Sequence, residues 1–237
     1  NLPATPKPQP LGGAPFMTSS PIRAFFIDLD DTVYPASTGV WPLAGERMVT
    51  YMHEVLGIPL AEAPKIRERL FHTYGTTLRG LQLEYGIDSE DYLAYVHDLD
   101  LRNLLQPDPE LKEALARFKQ PKWIFTNATR EHAQNVLSVI QVVECFSGII
   151  DIRDVQPYCK PDPAAYQIAL QLAGSLAPEE VLMVDDRKEN LDVAASLGFK
   201  TVLISPEPQN GYRTLPRLAD LPSIDSGRSL KKDGDRI

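Results

Sequence analysis

The chain has 237 residues, 43% of them hydrophobic and 24% charged, with a formal net charge of -8. That length carries one core domain plus an insertion, and the composition is ordinary for a soluble globular protein. The acidic balance disfavours a nucleic-acid partner, which calls for a basic face, and no apolar stretch is long enough to span a membrane. A small phosphorylated substrate stays compatible, because one lysine and one metal ion reverse a local field. With two cysteines, Cys145 and Cys159, and no visible signal peptide, a reduced cytoplasmic protein is the simplest reading. Oligomeric state leaves no mark on the sequence.

Residues 1–20 begin with a Pro- and Gly-rich stretch, Asn1 to Pro15, and read as a flexible leader in which Met17 is a candidate start. The apolar run Ala24-Phe25-Phe26-Ile27 predicts a buried strand. It ends in Asp28-Leu29-Asp30-Asp31-Thr32. Buried carboxylates are costly, so this cluster calls for a cation, a partner or a shifted protonation state. A carboxylate nucleophile, a proton donor and a metal site would fit there. Asp and Thr also cap helices, so the motif alone allows a plain strand-to-helix cap.

Residues 33–110 form an insertion with helical patterns near 43–56, 62–73, 76–85 and 89–98. Gly57-Ile58-Pro59 and Gly86-Ile87-Asp88 break them, and the insertion predicts no strand. This is a helical cap emerging directly after the first motif. Further strand runs fall at about 122–126, 148–152, 181–185 and 200–204, alternating with amphipathic helices. The helix of residues 162–173 starts with Asp162 as N-cap and Pro163 in its first turn, and that of 188–197 stops at Gly198. The alternation predicts an α/β fold, a Rossmann-like parallel sheet with helices on both faces. Residues 21–32 and 111–221 make this core, and 222–237 read as a flexible tail.

Polar clusters close the strands. Trp123-Ile124-Phe125 ends in Thr126-Asn127-Ala128, and Val181-Leu182-Met183-Val184 ends in Asp185-Asp186-Arg187-Lys188-Glu189-Asn190. Lys160 lies between them in Cys159-Lys160-Pro161-Asp162-Pro163. A lone lysine is usually solvated, and Cys159 beside it reads as a small inert residue. In open parallel sheets ligands bind at the carboxyl ends of the strands, so four distant segments converge on one edge.

The order Asp-x-Asp, Thr, Lys, Asp-Asp resembles the haloacid dehalogenase-like (HAD) superfamily of phosphatases, from residue 24 to about 204. The resemblance implies a C1 cap that sets substrate size, and Asp28 as a nucleophile that forms an aspartyl-phosphate. It implies Asp30 as general acid–base, protonated for its first task with help from neighbouring carboxylates. It implies Mg2+ held by Asp28, the Asp30 backbone carbonyl and Asp185, with Asp186 as a further carboxylate orienting water and Asn190 in a supporting contact. Thr126 and the backbone amides of Asn127 and Ala128 would hold the phosphoryl oxygens, with Lys160 balancing charge.

Tyr34-Pro35, the stretch Tyr74-Gly75-Thr76-Thr77-Leu78-Arg79-Gly80-Leu81 and the Asp185-Asp186 pair resemble the pyrimidine 5'-nucleotidase branch of that family. This implies a nucleoside monophosphate such as UMP or CMP as the partner. Arg79 would meet a base edge, a ribose or a phosphate, or else pair with a cap carboxylate. Tyr34 and Tyr74 would stack on a base or sit in the core. His132 opens the helix after Thr126 and reads as a helix-terminus residue, while His53, His72 and His97 lack metal-ligand spacing and read as structural. Other small substrates stay open: a sugar phosphate, pyridoxal phosphate or nicotinamide mononucleotide. So do a phosphosugar mutase and a binding module without catalysis. Haloacid dehalogenation ranks lower, because it needs neither metal nor an acid at Asp30.

Overall fold

Alternate side chains of β1 (Ala24–Ile27) enter opposite cores. Phe25 and Ile27 join one buried cluster, while Ala24 and Phe26 join another. This is the period of two of a strand covered on both faces. The computed structural model describes residues 20–224, so most of the expected leader and residues 225–237 of the expected tail lie outside the described residues.

The sheet is parallel and six-stranded, in the order β3-β2-β1-β4-β5-β6. Its other strands are β2 (Lys122–Phe125), β3 (Gly148–Ile150), β4 (Val181–Asp185), β5 (Lys200–Ile204) and β6 (Thr214–Leu215). Phe25 pairs with Leu182 and Lys122, and Ile27 with Val184 and Ile124, so β1 is central. The chain moves outward on one side through β2 and β3, then returns to β1 and runs through β4 to β6. The reversal leaves a crevice beside the carboxyl ends of β1, β2 and β4.

Helices cover both faces, as the alternation of patterns predicts. α5 (Pro109–Ala116) and α6 (Arg130–Val139) bury Leu111, Leu115, Val136 and Leu137 in the first cluster. α7 (Pro163–Leu172) and α8 (Lys188–Ser196) bury Tyr166, Ala169, Leu191 and Ala194 in the second. There Phe26 meets Phe125 at 5.9 Å and Tyr166 meets Phe125 at 5.4 Å, both edge-on. Asp162 caps α7 by accepting from the Ala164 amide, and Gly198, at φ +104°, follows α8.

Between β1 and α5 lie α1 (Val40–Glu54), α2 (Ala63–Tyr74), α3 (Thr77–Tyr85) and α4 (Ser89–Val96), each within three residues of its predicted bounds. Their ends follow from local chemistry. Thr76 caps α3 through the Arg79 amide, Asp88 caps α4 through the Glu90 and Asp91 amides, and Gly86 closes α3 at φ +66°. The expected boundary between residues 110 and 111 falls inside α5, whose N-cap is Asp108. The expected start of the tail at 222 is also displaced, because residues up to 224 complete a 3-10 helix, Leu218–Ile224, packed on α5.

Two arginines of the core grip the helical insert. Arg153, after β3, pairs with Glu90 of α4 at 2.7 Å and with Glu131 of α6 at 2.7 Å. On the other side, the guanidinium of Arg187 lies 4.3 Å from the Phe71 ring centroid and donates to the Gly75 carbonyl. Gly75 is required there. Its φ is +84°, and a Cβ would come within 3.1 Å of Pro161 and 3.2 Å of the Lys160 carbonyl. Among the described residues no helix is long and apolar enough to cross a membrane.

Candidate active site

The carboxyl edge of the sheet meets the insert around a cavity of about 310 Å³. Asp28, the first residue past β1, is buried and accepts from the Lys160 ammonium at 2.7 Å. The same ammonium reaches Asp185, the last residue of β4, at 2.8 Å. Lys160 is 1% exposed, so it is no solvated loop lysine. Asn127 fixes it through the backbone: its Nδ2 donates to the Lys160 carbonyl at 2.8 Å and its Oδ1 accepts from the Lys160 amide at 2.8 Å. The Asn127 side chain therefore positions Lys160 and is not free for a substrate.

Asp28, Asp185 and Asp186 bring one carboxylate oxygen each to within 4.8 Å of one another. Three carboxylates face one ammonium, leaving two negative charges unbalanced, and buried charge demands compensation. Burial first, then Asp185, Asp186 and Asp30, push the Asp28 carboxyl well above its usual range, against the pull of Lys160. Burial, Asp185 and Asp31 push Asp186 up to about 7. Burial also lowers Lys160, but Asp185 and Asp28 outweigh it and hold the ammonium above its ordinary value. Hard oxygen donors with this charge deficit suit a divalent cation such as Mg2+. Asn190 supports the group by donating to both oxygens of Asp185, at 2.9 and 3.0 Å.

Asp30 stands apart from this group. The chain turns sharply after Asp28, with Asp31 at φ +56°, and the Asp30 carboxyl meets donors rather than carboxylates. Tyr34 donates its hydroxyl to Asp30 Oδ1 at 2.5 Å, and His132 Nε2 lies 3.0 Å from the same oxygen. Burial alone would raise the acid, but His132, by charge and hydrogen bond, and the Tyr34 hydroxyl hold it below the ordinary carboxylate value. The expectation that neighbouring carboxylates keep Asp30 protonated is thus corrected for the free protein.

Thr126, 1% exposed, accepts from the Ala128 amide at 2.9 Å, which leaves its hydroxyl proton free to donate. Thr126, Asn127 and Ala128 all line the cavity. The insert adds an apolar wall of Trp41, Met48, Phe71, Leu78, Leu93 and Val96, with Thr76, Thr77 and His97 among its few polar groups.

Three expected substrate contacts lie elsewhere. Tyr34 is buried and holds Asp30, and it does not line the cavity. Tyr74 donates to Glu84 at 3.0 Å and, with Arg79, lines an outer cleft beside Tyr158 and Cys159. Conversely, His132 and His97 are more than terminus and structural residues. His97 lines the cavity and stacks on His132 at 4.6 Å, and burial, with His132 beside it, pulls its imidazole down to about 3. The signal for His132 was its place on the helix that Thr129 caps, six residues after Thr126.

The family model for haloacid dehalogenase-like hydrolases matches residues 22–198. The chain belongs to this family. Among HAD relatives, phosphate metabolism protein 8 of Saccharomyces cerevisiae is 29% identical over 195 residues, 76% of this chain and 61% of that protein. Enolase-phosphatase E1 of Methylococcus capsulatus is 30% identical over 152 residues, 62% of this chain and 61% of that protein. The chain thus spans less than two thirds of either relative. The fold matches a HAD phosphatase from Thermococcus onnurineus at TM-score 0.59 and 19% identity, covering 87% of this chain and 98% of that one. It matches a magnesium-bound HAD-hydrolase from Bacillus subtilis at 0.59 and 18%, covering 86% and 99%.

Proposed function

We propose that this HAD hydrolase is a Mg2+-dependent phosphomonoesterase working through an aspartyl-phosphate. The observation that carries the reading is the separation of two carboxyls on one cavity: Asp28 among anions and Lys160, Asp30 among hydrogen-bond donors. Asp28 attacks phosphorus while Lys160 offsets charge and Thr126 donates to a phosphoryl oxygen. Asp30 gives a proton to the leaving oxygen, then takes one from the water that cleaves the aspartyl-phosphate. Asp28, the Asp30 carbonyl and Asp185, with Asp186 alongside, would hold a Mg2+ ion, which would supply the positive charge that favours the Asp28 anion. A phosphate dianion beside Asp30 acts in the opposite sense and favours its protonated form. Binding of metal and phosphate thus moves each carboxyl toward the form that the first step needs, Asp28 toward the anion and Asp30 toward the acid.

Asp30, Asp185 and Asp186 favour phosphatase over dehalogenase chemistry, as do the relatives named for phosphate chemistry. The finer reading is a pyrimidine nucleoside 5'-monophosphate substrate. The apolar wall, with Thr76 and Thr77 among its few polar groups, suits the planar ring of a base better than the polyhydroxylated body of a sugar phosphate. The test is phosphate release with and without Mg2+ from UMP, CMP, purine nucleotides, pyridoxal phosphate, nicotinamide mononucleotide and sugar phosphates. Metal-dependent preference for UMP or CMP is expected. Sugar-selective release would sink the pyrimidine reading, and no release from any of them would sink the phosphatase reading.

A further inference from the structure

Two donors from different parts of the chain converge on one oxygen of Asp30. Tyr34 Oη reaches Oδ1 at 2.5 Å and His132 Nε2 reaches the same atom at 3.0 Å. A carboxyl oxygen that accepts twice has no room to carry a proton as well. Oδ2 makes no hydrogen bond to the protein among the described residues, while Asp30 lines the cavity.

The surroundings of His132 show that it is there for Asp30. Among the described residues its buried Nδ1 has no partner, so the one polar contact of the imidazole there is with Asp30. An orphaned buried nitrogen is costly and calls for an explanation. The ring is held by stacking on His97, with 23° between planes. Thr129 fixes both histidines: its Oγ1 accepts from the His132 amide at 3.2 Å and lies 3.3 Å from His97 Nδ1. His97 comes from the end of α4, so the insert helps to build the support.

We propose that Tyr34 and His132 are positioning residues that lock Oδ1 of Asp30 as an acceptor and assign proton transfer to Oδ2. This rests on the phosphomonoesterase reading and deepens it. In the first half, the Asp28 oxygen bonds to phosphorus, the bond from phosphorus to the leaving oxygen breaks, and the proton on Oδ2 passes to that oxygen. In the second half, a water oxygen bonds to phosphorus, the Asp28 oxygen leaves, and the water proton returns to Oδ2. The sum is ester plus water giving alcohol plus phosphate.

A proton donor matters most when the leaving group is poor, so the test compares phenyl phosphate with p-nitrophenyl phosphate in Mg2+. The parameter is kcat/KM, which reports the first half-reaction. His132→Leu should lower kcat/KM by at least about thirtyfold for phenyl phosphate but less than about fivefold for p-nitrophenyl phosphate. His132→Gln, whose side-chain N–H can stand in for Nε2–H, should recover phenyl phosphate hydrolysis to within about threefold of wild type. Tyr34→Phe should repeat the His132→Leu pattern at smaller amplitude, and it carries the comparison if His132→Leu does not fold. Equal losses on both esters, or a His132→Gln no better than His132→Leu, would overturn the proposal while leaving the phosphatase reading in place. A wild type that releases phosphate from neither ester would overturn the phosphatase reading and the proposal together.

Discussion

Asp186→Asn should make the metal-free protein more stable, although it removes a residue of the candidate centre. The reason is the Asp186 carboxyl, raised from 3.8 to about 7 by burial, Asp185 and Asp31. A group raised on folding contributes stability that is fully present below its unfolded value and is lost as pH rises through its folded value. For Asp186 the loss therefore runs from about pH 4 to about pH 7. The gap between 3.8 and about 7 corresponds to roughly 4 kcal/mol against the folded state above neutrality. Asparagine keeps the shape and cannot ionise. Allowing for relaxation and for a weaker version of the hydrogen bond that the Thr32 hydroxyl donates to Asp186 Oδ1 at 3.4 Å, the gain should be about 2–4 kcal/mol at about pH 8 in EDTA. In a chain of this size that raises the melting temperature by roughly 5–15 °C. At about pH 4 the gain should fall below about 1 kcal/mol. Added Mg2+ should then stabilise wild type more than the variant, because a ligand that binds only the folded state stabilises by mass action. Thermal unfolding at the two pH values, with EDTA or Mg2+, measures all of this. A variant no more stable than wild type at about pH 8 in EDTA, or equally favoured at both pH values, would refute the charge argument.

Asp28→Asn should lower kcat by at least about a thousandfold with the melting temperature unchanged or raised, read by phosphate release and thermal unfolding on the same sample. Gly75→Ala should cost about 1–3 kcal/mol, because φ of +84° and the contacts with Pro161 and Lys160 both oppose a Cβ; denaturant unfolding tests it. Arg79→Ala should change kcat/KM by less than about threefold for every substrate tried, since Arg79 lines the outer cleft. A loss confined to nucleotides would show that the residue swings inward.

The sheet was legible because β1 and β4 are apolar runs that stop at acids, a pattern strong enough to set strand and edge together. The insert was legible because Gly57, Gly86 and the caps Thr76 and Asp88 punctuate it. β6, two residues on the sheet edge, has too little sequence to show a period. That Asp28, Thr126, Lys160 and Asp185 meet at one edge could be expected from their order and its resemblance to the HAD motifs. The setting of Asp30 could not. His132 stands 102 residues away from it and His97 reaches it only through His132, so no local spacing records the relation. Tyr34 was left between a base-stacking and a core position and takes the core one, because an aromatic beside an acid looks the same in sequence whether it offers its face or its hydroxyl.

The two grips on the helical insert differ in kind. Arg153 holds α4 by a partly exposed ion pair with Glu90, which dissolved salt weakens. Arg187 holds α2 largely by resting on the Phe71 ring, a contact that ionic strength disturbs less. Raising salt should therefore weaken the α4 margin of the insert before the α2 margin. Because His97 ends α4 and stacks on His132, that margin also carries the support behind Asp30, so a salt titration on one substrate should move KM and kcat in step.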